Sequence, residues 1–174
     1  MSLRLSCLIG IAVMFSGITL SILLAPWFSF YDNALSDLGH STKSVVAPIF
    51  NFNLICGGTM LLVYGLSTLR HKYLFTGYIV SLASFFLILV GAFDEVYGLL
   101  HFAVSAVFFI LMGLASITYS IESGVKLGYI AFVTGILGWL LFWLKVYRMG
   151  IAVPELVSAV AVSTWILYDF VKTR

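Results

Sequence analysis

Charge is what this chain has least of. Nine Lys or Arg and seven Asp or Glu make up 9% of its 174 residues, against roughly a quarter in an ordinary soluble domain. So few charges cannot clothe a water-soluble surface of this length, so lipid must cover most of the chain. The formal net charge of +2 is small and scattered. Without a basic stripe there is no electrostatic footprint for nucleic acid and no polybasic stretch for lipid headgroups. Cysteine is scarce too. Cys7 and Cys56 lie on consecutive apolar runs of opposite direction and at different depths, which argues against a disulfide and for two buried free thiols. Low-complexity linkers and any stretch resembling a soluble domain are also missing, so residues 1–174 read as a single transmembrane helical domain.

What the chain has is apolar length: 62% hydrophobic residues and a mean hydropathy of +1.13. Five uncharged runs, at 5–25, 47–69, 73–93, 99–121 and 127–144, are each long enough to cross a hydrocarbon core of roughly 30 Å as a helix. They are continuously apolar rather than alternating, which excludes a strand barrel and leaves helices as the way to satisfy the backbone in lipid. A sixth segment, 154–170, is interrupted by Glu155. Pro154 and Glu155 suit a helix's first turn, where a missing N–H is not needed and negative charge is favoured. The expected fold is therefore all-α, an integral membrane bundle of six helices. Five spans with an interfacial sixth segment is the alternative. The first run exceeds a signal-peptide core and is followed directly by Pro26, so it reads as a retained anchor.

Basic residues set the expected orientation, because Lys and Arg favour cytoplasmic loops. With the N-terminus inside, Arg4, Arg70, Lys72, Lys126, Lys172 and Arg174 are inner and Lys43, Lys145 and Arg148 outer. Six against three places both termini in the cytoplasm, in a multi-pass protein of the cell membrane. Acidic residues show the reverse skew, and the intramembrane polarity is expected to gather at the outer end. The glycines at 10, 17, 57, 58, 128, 135 and 138 are expected to let helices approach closely.

Candidate site residues emerge from polar groups where lipid should be. The loop after the first run carries Ser36, Asp37 and His40, with Asp32 expected to cap a short interfacial helix ended by Gly39 and Leu35 and Leu38 dipping toward lipid. Asn51 and His101 each sit about one helical turn inside the outer surface, and Ser105 shares His101's face. Asp94 lies in the turn just before that helix. An ionisable group in a membrane helix is a functional candidate; the alternative is that His101 bonds Asn51 or a carbonyl and locks two helices together. The third histidine, His71, belongs to the opposite end, which excludes a three-histidine zinc site. Neither a metal nor any other cofactor is called for by the spacing. Ser36 or Ser105 with a histidine and an aspartate supplies the residue types of a nucleophilic site but no elbow motif.

The run Asn33 to Gly39, Asn51 to Leu54 with Gly57-Gly58, and Asp94 with His101 resembles the family catalogued as domain of unknown function 998, small six-helix membrane proteins of microbes. A looser similarity of plan links the chain to DRAM-like membrane proteins, some associated with lipid handling. The resemblance implies no established activity. It does imply that Ser36, Asp37, Gly39, Asn51, Asp94 and His101 belong to one site.

The expected function is a membrane module whose outward polar pocket binds a lipid headgroup or small polar ligand through Ser36, Asp37, His40, Asn51, Asp94, His101 and Ser105. The alternative is a lipid hydrolase or transferase at the outer leaflet, with His101 as general base and Asp94 or Asp37 orienting it. Membrane lipid is the expected partner, and self-association stays open. The topology has a direct test. In a chain lacking Cys7 and Cys56, single thiols at Ser41 and Tyr97 should both react with an impermeant maleimide in intact cells. One at Lys126 should react only after permeabilisation, and labelling of the first two from opposite compartments would overturn the arrangement.

Overall fold

A computed structural model describes residues 3–172; Arg174, counted in the charge asymmetry, lies outside them. Six long helices match the six apolar segments: α1 (Ser6–Leu24), α2 (Ala47–Tyr64), α3 (Leu74–Ala92), α4 (Leu99–Ser123), α5 (Leu127–Trp143) and α6 (Ala152–Lys172). No strand occurs among the described residues. The second helix does not stop at Tyr64. A wide π turn at Gly65–Leu69 carries it into Arg70–Lys72, and such a turn shifts the register of the residues beyond it.

Five helices, all but α5, have the length and apolarity to cross a membrane. The last segment, with the lowest hydropathy of the five, is nonetheless long enough to span, and the short helix is the fifth. α6 runs for 21 residues, while α5 has only 17, or about 25 Å at ~1.5 Å per residue. Charge interrupting a span misleads here because Glu155 is spent on a neighbouring loop instead of on lipid.

Consecutive helices pack side by side, and α6 closes the ring by touching α1 and α4. α5 stands outside, against α4 and α6. Glycine sets two of the closest crossings. At α1–α2, Gly10 and Gly57 face each other, so a Cβ on either would stand 3.0 Å from the other's carbonyl oxygen. At α4–α5, a Cβ on Gly128 would stand 2.0 Å from the carbonyl oxygen of Ser116. Gly135 and Gly138 make only ordinary contacts, 3.4 Å and 3.6 Å at their nearest, so the close approach expected there is not found.

Arg4 donates to the carbonyl of Phe170, so the two ends of the chain share one face of the bundle. This terminal end holds a network that corrects the expectation of polarity gathered only at the other end. Asp169 is 2% exposed. It receives Lys72 Nζ at 2.6 Å and the Tyr64 hydroxyl at 3.1 Å. Beside it Tyr119 stacks on Trp165 with ring centroids 4.4 Å apart, and Trp165 Nε1 donates to Ser116 Oγ at 3.0 Å. Buried ionic and aromatic groups thus close this end. Free Cys7 and Cys56 make no disulfide.

The α4–α5 crossing makes a stability prediction. Gly128→Ala should destabilise the purified protein by about 1–3 kcal/mol, the usual range for overpacking. Gly113→Ala, whose Cβ would meet only the Phe132 ring at 3.5 Å, should leave the melting temperature nearly unchanged.

Candidate functional site

The loop of residues 25–46 folds over the end opposite the termini and is tied down by backbone and carboxylate bonds. Gly150 N donates to Phe30 O at 2.8 Å and Ala152 N to Asn33 O at 3.0 Å, joining the first loop to the turn before α6. A short 3-10 helix, Leu35–Gly39, comes after these ties. Asp32 does not cap it. Asp37 folds back instead, its Oδ2 accepting from Ala34 N at 2.9 Å and Asn33 Nδ2 at 2.8 Å. Leu35 and Leu38 point into the bundle, 6% and 0% exposed, not toward lipid as expected, because the loop lies on the helices rather than beside them.

Two side chains from α2 and α6 grip this short helix. Asn51 Nδ2 donates to Gly39 O at 2.8 Å, and a Cβ on Gly39 would stand 2.4 Å from Asn51 Oδ1, so only glycine fits. Glu155 Oε2 accepts from Leu35 N at 2.7 Å. Glu155 was not among the sequence candidates. The signal was there: a carboxylate inside an apolar run with no base nearby must find a donor.

His101 comes from the first turn of α4 and is 9% exposed. Its Nδ1 lies 2.7 Å from Phe93 O at the end of α3. A carbonyl can only accept, so Nδ1 carries the proton, and in the neutral ring Nε2 keeps a lone pair. Nε2 faces Ser105 Oγ at 3.4 Å. The histidine therefore bonds a carbonyl, as the locking alternative allowed, and does not touch Asn51. Asp94 accepts from Val96 N at 2.9 Å, capping the 3-10 turn Glu95–Tyr97. His40 pairs with Thr42 Oγ1 at 3.3 Å.

Below the loop a cavity of about 80 Å³ runs between α1, α2, α3, α4 and α6. Ser36, His101, Ser105 and Glu155 line its upper part, and Leu61 and Ile166 its floor. His40 is not part of its lining. Glu155 to Ile166 spans about 17 Å at ~1.5 Å per residue, so the cavity is a long, narrow slot with a polar head and apolar walls. The Tyr64, Trp165 and Asp169 network stops it short of the terminal end. Thus the structure brings Ser36, His101 and Ser105 to one cavity, while Asp37, Asn51 and Asp94 hold the surrounding backbone.

Chemically, the slot offers acceptors more than catalytic groups. Ser105 sits mid-helix, where backbone N–H groups are taken up by the helix itself, so none beside it is free to stabilise an oxyanion. Among the described residues no three His, Cys, Asp or Glu side chains converge to hold a metal ion.

Glu95 was also missed as a candidate. Its carboxyl lies beside that of Asp37, and its Oε2 is buried with no hydrogen-bond partner among the described residues. Desolvation first, then Asp37 and Asp94, push its pKa up to about 7 against the pull of Lys43. The protonated form therefore suits the fold. Its stabilisation is complete below the ordinary value of 4.5 and is lost as pH rises through about 7. The melting temperature in detergent should fall across that window. Glu95→Gln, which keeps a donor toward Asp37 and cannot ionise, should flatten the fall.

No curated protein and no solved structure matches this chain. The model of the family described as protein of unknown function DUF998 matches residues 8–169, nearly the whole bundle including the slot, and the chain accordingly belongs to that family.

Proposed function

We propose that this polytopic membrane protein is a binding module for an amphiphile, a lipid or lipid-like molecule whose polar head rests beside Ser36, His101, Ser105 and Glu155. The observation that carries this reading is the slot itself: polar at the loop end, apolar for about 17 Å below, by helical rise, and blind at the termini. That is the profile of a head with a single chain, since apolar walls with a few placed polar groups fix a ligand's orientation. The slot is narrow. At about 80 Å³ it has roughly half the volume of an engineered cavity of ~150 Å³ that binds benzene, so a chain enters as the walls yield. Met14 and Met112 line it, and methionine is the side chain that repacks most readily. On the orientation expected from the basic residues, with both termini in the cytoplasm, the polar head would lie at the outer leaflet.

Asp37, Asn51 and Asp94 then act by holding the mouth. A binding role is favoured over hydrolysis because His101 is oriented by a backbone carbonyl and its serine neighbour lacks an oxyanion site.

Filling the slot tests the reading. Ala159→Phe and Ser163→Phe project bulk into the cavity and should reduce amphiphile co-purifying with the protein several-fold by mass spectrometry. Val133→Phe, on the exposed face of α5, should not. An unchanged lipid profile in the slot-filled variants would sink the proposal.

A further inference from the structure

The polar head of the slot is unbalanced in hydrogen-bonding type. Glu155 spends Oε2 on Leu35 N, leaving its other oxygen without a donor among the described residues. His101, buried to nine-tenths, turns a lone-pair nitrogen into the cavity, since Nδ1 is committed to Phe93 O. Its one hydrogen-bond partner there among the described residues is Ser105 Oγ, at a long 3.4 Å. Ser163, 7% exposed, also lines the slot with no hydrogen-bond partner among the described residues. Serine hydroxyls can donate or accept. The other two are acceptors.

Charge leans the same way. Among the described residues no Lys or Arg lines the slot. Lys43, Lys145 and Arg148, the basic residues of the loops at this end, are all exposed. Asp37 and Glu95 lie beside one another at the mouth, and both are within electrostatic reach of Glu155. A phosphate or carboxylate head would meet carboxylates and no cation. An ammonium would supply N–H donors to Glu155 and His101 Nε2 as well as the missing positive charge, and hydrogen bonds to ionised groups are the strong ones.

From this geometry we infer that the amphiphile taken by the slot carries a protonated amine as its head, held between Glu155 and His101, with its alkyl chain running toward Leu61 and Ile166. The inference rests on the amphiphile reading of the slot and adds the head chemistry to it. Neither the acidic cluster nor the cavity alone specifies this. His101 Nε2, engaged only by the long Ser105 bond, and the buried Ser163 hydroxyl, which has no hydrogen-bond partner among the described residues, line the same space and add the second observation.

The test compares three heads on one tail. The full chain in uncharged maltoside micelles is titrated with tetradecylamine, tetradecanol and tetradecyl phosphate, and adducts are read by native mass spectrometry. The amine should bind at least about tenfold more tightly than the alcohol, the gain expected of a charge-assisted bond, and the phosphate most weakly. Glu155→Gln keeps an oxygen for Leu35 N, so it should erase the preference for amine while leaving the alcohol bound as before. If that variant does not fold, the ranking of the three heads on the parent protein still decides. Equal binding of amine and alcohol, or tighter binding of the phosphate, overturns the amine head and leaves the amphiphile slot standing. No adduct with any of the three overturns both.

Discussion

A backbone N–H left without an acceptor in hydrocarbon costs several kcal/mol, and much of this structure is organised around meeting that demand at the helix ends. Four of the seven acidic side chains serve it. Asp37 accepts from Ala34 N, Asp94 from Val96 N, and Glu155 from Leu35 N. At the other end Glu122, from the last turn of α4, accepts from Phe75 N and Thr76 N, capping α3 from a neighbouring helix. Scarce charge is thus used as structural cement between segments, and three of these bonds, one to Glu155 and two to Glu122, join elements distant in sequence.

That economy explains how a polar-headed cavity survives in so apolar a chain. Asn51 and Glu155 pin the 3-10 helix from two sides, which suspends Leu35–Gly39 as a roof over the gap between helices. Gly39 lies so close to Asn51 and Phe50 that an added Cβ would clash with both, and Asn51 holds its carbonyl at 2.8 Å. At the termini the opposite holds. Tyr64, Lys72 and Asp169 converge with the Tyr119–Trp165 stack and leave no passage. One end of the bundle is built to leave space and the other to remove it, and this difference makes the slot blind.

The same asymmetry separates positioning from recognition among the polar residues. Asn51 and Asp94 direct their hydrogen bonds at backbone, and Asp37 divides its own between Ala34 N and the Asn33 side chain, so they shape the mouth. His101, Ser105 and Ser163 retain capacity that faces the cavity. Glu155 does both, one oxygen to the roof and the other unclaimed.

Six helices, their membrane setting and most of their boundaries were legible in the sequence, because a run of some twenty apolar residues has no other stable form in a bilayer. Asn51, Asp94 and His101 were legible as candidates for the same reason: polar groups at membrane depth need partners. Which partners they take was not, since Asn51 to Gly39, His101 to Phe93 and Glu155 to Leu35 depend on the angles and separations of packed helices, which no local pattern encodes. Glu155 read as a helix-start charge and Asp169 was not singled out; tertiary packing made one the clamp of the roof and the other the centre of the closed end. Composition and periodicity determine that a chain buries itself in lipid, whereas a cavity is what the packed helices leave unfilled, and only three-dimensional assembly decides that.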